Sequence, residues 1–327
     1  LKKGLIAALK IIIPLGIGVY LTWFFISNLT DVELQNLKNA FLKADYRFIF
    51  IGIIIMLLSH MSRAYRWKYL LAPLGHTPNF WKMYHSVMIG YLINLTIPRS
   101  GEVARAGYYA KFQKKAPFEK VFGTIIVERI IDVIMLGIVM GITLYFQKDV
   151  EAFNSIKNTG NSGGGIPTWG YFLAALLIVV GFVLIMSVPK IKLKVREILR
   201  GLYEGVSTIL QLKQRTAYVL HTIFIWVCYV LMLWVCSFAL PETANLSINA
   251  VFAAFVVGGI AISATPGGIG LYPLMVAAVL SNLYNIENAE SFSMLAWTSL
   301  TAFTILAGLV SLVALPFISK KQAALSE

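Results

Sequence analysis

Charge is scarce in this chain: 13% of its residues are Asp, Glu, Lys or Arg, against 58% hydrophobic. Once the apolar stretches that approach the ~20 residues needed to span a ~30 Å hydrocarbon core are set aside, no soluble domain of ~100 residues remains. Alternation of period two is missing as well, which excludes a β-barrel and leaves helices as the way to satisfy a backbone in lipid. Cysteine is nearly absent. Cys228 and Cys236 stand eight residues apart on one expected helix, about 12 Å at ~1.5 Å per residue, too far for a disulfide. His60, His76, His85 and His221 show no metal-ligand spacing, so neither a metal nor a cofactor is expected. No Walker A loop and no G-x-S-x-G elbow occur, which argues against an ATPase or a serine hydrolase.

What the chain does have is a set of apolar runs, at about 11–26, 48–61, 121–146, 169–188, 217–240 and 291–316. Lys2 and Lys3 before the first run suggest a signal sequence, but no small-x-small cleavage site follows, so the run is read as a retained helix. The net charge of +13 collects in loops on one side. The positive-inside rule makes that side cytoplasmic, with both termini there, in the cell membrane of a prokaryote. The same charge favours anionic headgroups. In this reading 31–45 is a mixed-charge outer loop, Arg63, Arg66, Lys68 and Lys82 lie in a cytoplasmic loop, and 190–215 fits either an amphipathic helix on the cytoplasmic face or a plain basic connector.

Two further apolar stretches are interrupted. Residues 83–110 break at Pro98, and 248–284 break at Thr265-Pro266-Gly267-Gly268-Ile269-Gly270. Pro98 and Pro266 differ by 168, as do Gly90 and Gly258, and the same shift carries the spans at 48–61 and 121–146 onto the later ones. The expected fold is an all-α polytopic membrane protein, an inverted-topology repeat with six full spans and two re-entrant broken-helix hairpins. The single transmembrane domain, 1–327, then divides into a first half (1–146), an extracytoplasmic linker (147–168) and an inverted second half (169–319). Paired Gly/Pro interruptions in such repeats point to the binding site.

Charge at bilayer depth costs roughly 2.5–3.5 kcal/mol per residue on insertion scales, so buried charges mark a pathway or a site. Here they gather at the first break. Arg99, Ser100, Gly101, Glu102 and Arg105 follow Pro98, while Glu128, Arg129 and Asp132 lie on the next span. Ser100 suits an N-cap, and the helix start behind it would aim N–H groups at an anion unless Glu102 satisfies them internally. In the second hairpin Thr265 suits an N-cap before Pro266. Gly267, Gly268 and Gly270 leave bare backbone that forms either an anion nest or a tight contact between helix tips. Three cations and three carboxylates fit a self-neutralising network or a headgroup gate. Arg63 and Arg66 fit interfacial anchors or headgroup contacts.

Taken in order, the RAYRW segment, the N-x-x-x-P-R-x-G-E-x-x-R pattern from Asn94 to Arg105, the E-R-x-x-D of 128–132 and the late PGGIG resemble the lysylphosphatidylglycerol synthase transmembrane region. This flippase-like domain forms the N-terminal part of the multiple peptide resistance factor. The resemblance implies a lipid-translocating membrane domain, with Asn94 among the headgroup contacts. One departure is that Leu271, Tyr272 and Pro273 stand where the family often carries a glutamate. No aminoacyl-transferring domain follows the last span, so lysine transfer is not expected. The expected function is a flippase or transporter for an anionic lipid or lipid-linked intermediate, moved through the charged gap between the hairpins. The alternative is a non-catalytic membrane partner of a lipid-modifying or glycosyl-transferring enzyme. An intramembrane enzyme using Glu128 or Asp132 is the remaining option. The partners are membrane lipids, anionic ones foremost, with a lipid-modifying enzyme or a second copy packed through Gly137 and Gly141 as further candidates. Nucleic acid is not expected.

Overall fold

The computed structural model describes residues 16–74, 78–97, 100–113, 116–146, 200, 203, 205 and 207–324. Its regular structure is helical, with no strand among the described residues. The helices are α1 (Gly16–Ser27), α2 (Asp31–Lys43), α3 (Tyr46–Leu71), α4 (Phe80–Asn94), α5 (Gly101–Phe112), α6 (Phe118–Phe146), α7 (Arg215–Ser237), α8 (Ile248–Ala264), α9 (Leu271–Tyr284) and α10 (Ala289–Ala324). Among the described residues, three segments are long and apolar enough to cross a membrane: Tyr46–Leu74, Arg215–Ser237 and Ala289–Ser319. The expected linker at 147–168 and span at 169–188 lie outside the described residues, as does most of the expected amphipathic helix.

The local sequence explains where these helices start. Thr30 and Glu33 form a reciprocal capping box: Glu33 N–H donates to Thr30 Oγ1 (3.3 Å) and Thr30 N–H to Glu33 Oε2 (2.7 Å). Residues 31–43 are therefore helical, where the charge pattern had suggested a loop. Asp45 caps α3 through Arg47 N–H, Asn79 caps α4 through Lys82 N–H, and Ser247 caps α8 through Ala250 N–H. Each satisfies a donor that the first turn leaves open.

A larger correction concerns the end of α3. The basic loop expected after residue 61 continues the helix to Leu71, carrying Arg63, Arg66 and Lys68 with it. Arg63, Arg66, Trp67, Leu70 and Leu71 recur at helical spacing and are all buried.

The described residues fall into two compact units, one holding the chain up to Ile126 and from Leu212 onward, the other Val127–Gln211. In the first unit α3 and α7 pack along each other and run antiparallel. Asp45 N–H, at the start of α3, donates to the Ala239 carbonyl just past α7 (2.9 Å). Near the opposite ends Arg66 Nη1 donates to Thr222 Oγ1 (3.0 Å). Two turns into α3, a Cβ on Gly52 would sit 2.6 Å from Cys236 Sγ near the end of α7, so glycine permits the approach. Ile49, Leu233, Val251, Val276, Leu280 and Phe292 build the apolar core around this pair. The starts of α3, α4, α5 and α6 at residues 46, 80, 101 and 118 are followed by those of α7, α8, α9 and α10 at 215, 248, 271 and 289, offsets of 169, 168, 170 and 171.

Candidate functional site

The first break is closed by polar chemistry. Asn94, the last residue of α4, accepts the Gly101 N–H on its Oδ1 (2.7 Å) and so fills the capping role expected of Ser100. Ser100 makes no capping bond; its hydroxyl donates to the Ile97 carbonyl (2.7 Å). α4 and α5 cross at two glycines. A Cβ on Gly90 would lie 2.8 Å from the Gly101 carbonyl oxygen, and a Cβ on Gly101 would run into the Gly90 carbonyl. Glu102 sits in the first turn of α5. Arg105, one turn on, is buried with its guanidinium 3.8 Å from the centre of the Trp67 ring. Arg99 and Pro98 lie outside the described residues.

Trp67 ties this hairpin to α3. Its indole N–H donates to Thr124 Oγ1 (2.8 Å), and its ring packs on Tyr109 at 4.9 Å between centroids. The neighbouring Arg66 is wholly buried, donating to Thr222 and lying 5.3 Å from the Tyr218 ring centre. Arg63, also buried, donates to Tyr229 Oη (3.1 Å). Ser62 and His221 Nδ1 share a 2.8 Å hydrogen bond beside them. The structure thus joins Arg63, Arg66 and Arg105 to one band of hydroxyls and rings on α3, α5 and α7.

The second break is closed by bare backbone. Gly267, Gly268 and Gly270 all have positive φ (59°, 79° and 71°), which only glycine adopts without strain. The position of a Cβ on Gly267 is filled by the Leu95 side chain, so the two breaks touch there. Trp297 donates its indole N–H to the Gly267 carbonyl (2.9 Å). Gly270 meets α1, where its Cβ would lie 2.6 Å from the Gly18 carbonyl oxygen. Thr265 makes no capping bond, and its hydroxyl donates back to the Ala261 carbonyl (3.1 Å). Pro266 and Gly268 are buried.

Glu128, Arg129 and Asp132 lie on α6 in the second unit. Glu128 is fully buried. Arg129 Nη1 faces Asp132 Oδ2 at 3.7 Å, an i,i+3 ion pair longer than a hydrogen bond. Among the described residues no group of three His, Cys, Asp or Glu side chains is placed to hold a metal. Both cysteines are free and buried.

Sequence reasoning passed over Trp67, Tyr109, His221 and Tyr229 as parts of the band. The first two had a readable signal: Trp67 shares a helical face with Arg63, and Tyr109 follows Arg105 by four.

The chain is 26% identical over 147 residues to a UPF0104 membrane protein of Pyrococcus horikoshii, covering 44% of this chain and 42% of that protein. It is 25% identical over 111 residues to a UPF0104 membrane protein of Methanocaldococcus jannaschii, 33% of each. With the glycosyltransferase AglD of Haloferax volcanii it shares 25% identity over 275 residues, 73% of this chain and 44% of that one. The matches thus span less than half the length of these curated relatives. No solved structure matches the chain. The model of the lysylphosphatidylglycerol synthase TM region matches residues 11–321, nearly the whole length, and the chain belongs to that family.

Proposed function

We propose that this chain moves an anionic lipid, or an anionic lipid-linked intermediate, between the leaflets of a prokaryotic cell membrane. The observation that carries the reading is the band of buried arginines, Arg63, Arg66 and Arg105, held by hydroxyls and ring faces beside the first broken helix. A lipid phosphate is an oxyanion that a guanidinium binds by charge-assisted, two-pronged hydrogen bonds. Glu128, buried on α6, supplies a carboxylate for a proton or cation. The recurring element starts and the antiparallel run of α3 and α7 support two halves of opposite direction, with one re-entrant hairpin entering from each side. The excess of basic residues supports a cytoplasmic side for both termini.

The test is headgroup translocation of labelled anionic lipids in proteoliposomes, comparing wild type with Arg66→Gln and Glu128→Gln at equal reconstitution. Transport that falls at least tenfold in both folded variants supports the reading. Translocation no faster than in protein-free liposomes removes it. The shared region with a glycosyltransferase favours a second reading, in which this chain is the membrane partner of a glycosyl-transferring enzyme. That reading expects co-purification with such an enzyme and no translocation by the chain alone.

A further inference from the structure

Buried hydrogen-bonding groups in this molecule follow consistent habits, and three side chains near one level depart from them. Helical hydroxyls turn back to the carbonyl four residues earlier: Ser86 to Lys82, Thr222 to Tyr218, Ser281 to Ala277, Ser311 to Ala307. Ser59, wholly buried on α3, does not, and its hydroxyl has no hydrogen-bond partner among the described residues. His85 and His221 each pair with a serine hydroxyl, Ser311 and Ser62. His60, 5% exposed, has neither ring nitrogen bonded to a described residue. The indoles of Trp67 and Trp297 each donate, while that of Trp226, buried on α7, finds no acceptor among the described residues.

These three residues lie within about one helical turn of one another in depth. Ser59 and His60 lie at the middle of α3, and Trp226 has eleven residues of α7 on either side. Because the two helices run antiparallel, with Gly52 beside Cys236 and Arg66 beside Thr222, Trp226 stands level with the turn of α3 that follows Ser59. His60 is one turn before Arg63, which donates to Tyr229, and Tyr229 is one turn after Trp226, 6.2 Å between ring centres. The Tyr91 ring, from the first hairpin, rests on His60 at 4.6 Å. A buried polar group left unsatisfied is costly and calls for an explanation.

We propose that Ser59, His60 and Trp226 are the subsite for the uncharged, hydroxyl-bearing part of the transported headgroup, a sugar or polyol, deep in the membrane beside the arginine band. The serine hydroxyl and neutral imidazole each donate and accept, and the indole donates, which matches the mixed character of hydroxyl groups. The rings of Trp226 and Tyr91 offer flat apolar faces to the C–H side of such a group. The identity of the carrier as a lipid rests on the transport reading; the hydroxyl subsite rests on the three side chains.

Three dioctanoyl lipids separate the two in nanodisc-held protein: phosphatidylglycerol (phosphate and hydroxyls), phosphatidylmethanol (phosphate without hydroxyls) and glucosyl-diacylglycerol (hydroxyls without phosphate). Wild type is expected to bind phosphatidylglycerol about tenfold more tightly than phosphatidylmethanol, the scale of one or two hydrogen bonds. Ser59→Ala and His60→Leu abolish that preference and weaken the glucosyl lipid about tenfold, leaving phosphatidylmethanol unchanged. Trp226→Phe, which keeps the ring and loses the donor, guards against a mere packing defect and shows the same selective loss. Equal binding of the two phosphatidyl lipids by wild type, or equal losses on all three probes, overturns the subsite even if translocation depends on Arg66. Selective hydroxyl binding without translocation keeps the subsite and removes the transport reading.

Discussion

The two broken helices solve one problem with opposite chemistry. Between α4 and α5 the turn is held by a side chain, Asn94 on the Gly101 N–H, and the restarting helix carries Glu102 and Arg105. Between α8 and α9 it is held by three glycines of positive φ whose carbonyls and Cα faces are covered by Trp297, Leu95 and α1. The first break brings charge to the arginine band, while the second brings none and serves as a surface on which other parts rest. A polar closure keeps ionisable groups near a site at the expense of capping bonds, and a glycine closure gives up side chains to bring backbones together.

The largest effect expected is at the crossing of the first hairpin. Gly101→Ala drives a methyl into the Gly90 carbonyl and the Asn94 amide, and a loss of about 3 kcal/mol is expected from overpacking against rigid backbone. Thermal unfolding in detergent measures it. Gly107→Ala, on the same helix with open space around its Cβ, is the paired control and should stabilise by a few tenths to ~1 kcal/mol. Equal destabilisation by both substitutions would break the contrast.

Next comes the tip contact. Gly267→Ala incurs about 1–2 kcal/mol of left-handed strain and also collides with Leu95. Leu95→Ala in the same chain should return the collision part and leave the strain, a coupling of at least ~0.5 kcal/mol in a double-mutant cycle. Strict additivity would mean that the two breaks do not touch. Smaller still, Asn94→Ala should cost about 1 kcal/mol and speed hydrogen exchange at the Gly101 amide, with Asn94→Asp retaining the acceptor and most of the protection.

The smallest effect lies away from both breaks. Hydrogen bonds from the Thr30 backbone and side chain hold the Glu33 carboxyl below its ordinary value. A depressed carboxyl contributes stability that is present above the unfolded value of 4.5 and lost as pH falls through the lower folded one. Glu33→Gln should therefore cost a few tenths of a kcal/mol near neutral pH, because Glu33 is solvent-screened, and nothing in strong acid. Unfolding midpoints across pH 2–7 would show it, and a deficit that persists below the folded value would contradict the assignment.

Much of this was legible in the chain. The ordered motifs gave the family, the apolar runs gave α3, α7 and α10, and the 168-residue offset anticipated the spacing of element starts. Failures came where residue type was read without helical register. Arg63 and Arg66 were assigned to a cytoplasmic loop, yet they continue α3, share a face with Trp67, Leu70 and Leu71 and are buried with them. The capping box of Thr30 and Glu33 was present in the sequence, but acidic residues near Lys38 hid it as a loop. Ser100 read as the cap, a role that Asn94 fills, because a bond from residue 94 to residue 101 needs the geometry of the turn. The contact of Leu95 with Gly267, 172 positions apart, has no local signature at all.

That last contact has a mechanical meaning. A leucine lying on unadorned glycine is a knob on a flat, with no opposing ridge to lock into, unlike the interdigitated side chains that fix most helix pairs. Sliding one hairpin tip past the other would sacrifice the dispersion contacts of one side chain, and among the described residues no backbone hydrogen bond joins the tips. On the transport reading, the junction of the two hairpins would serve as a bearing, with the α3–α7 pair beside it as the frame.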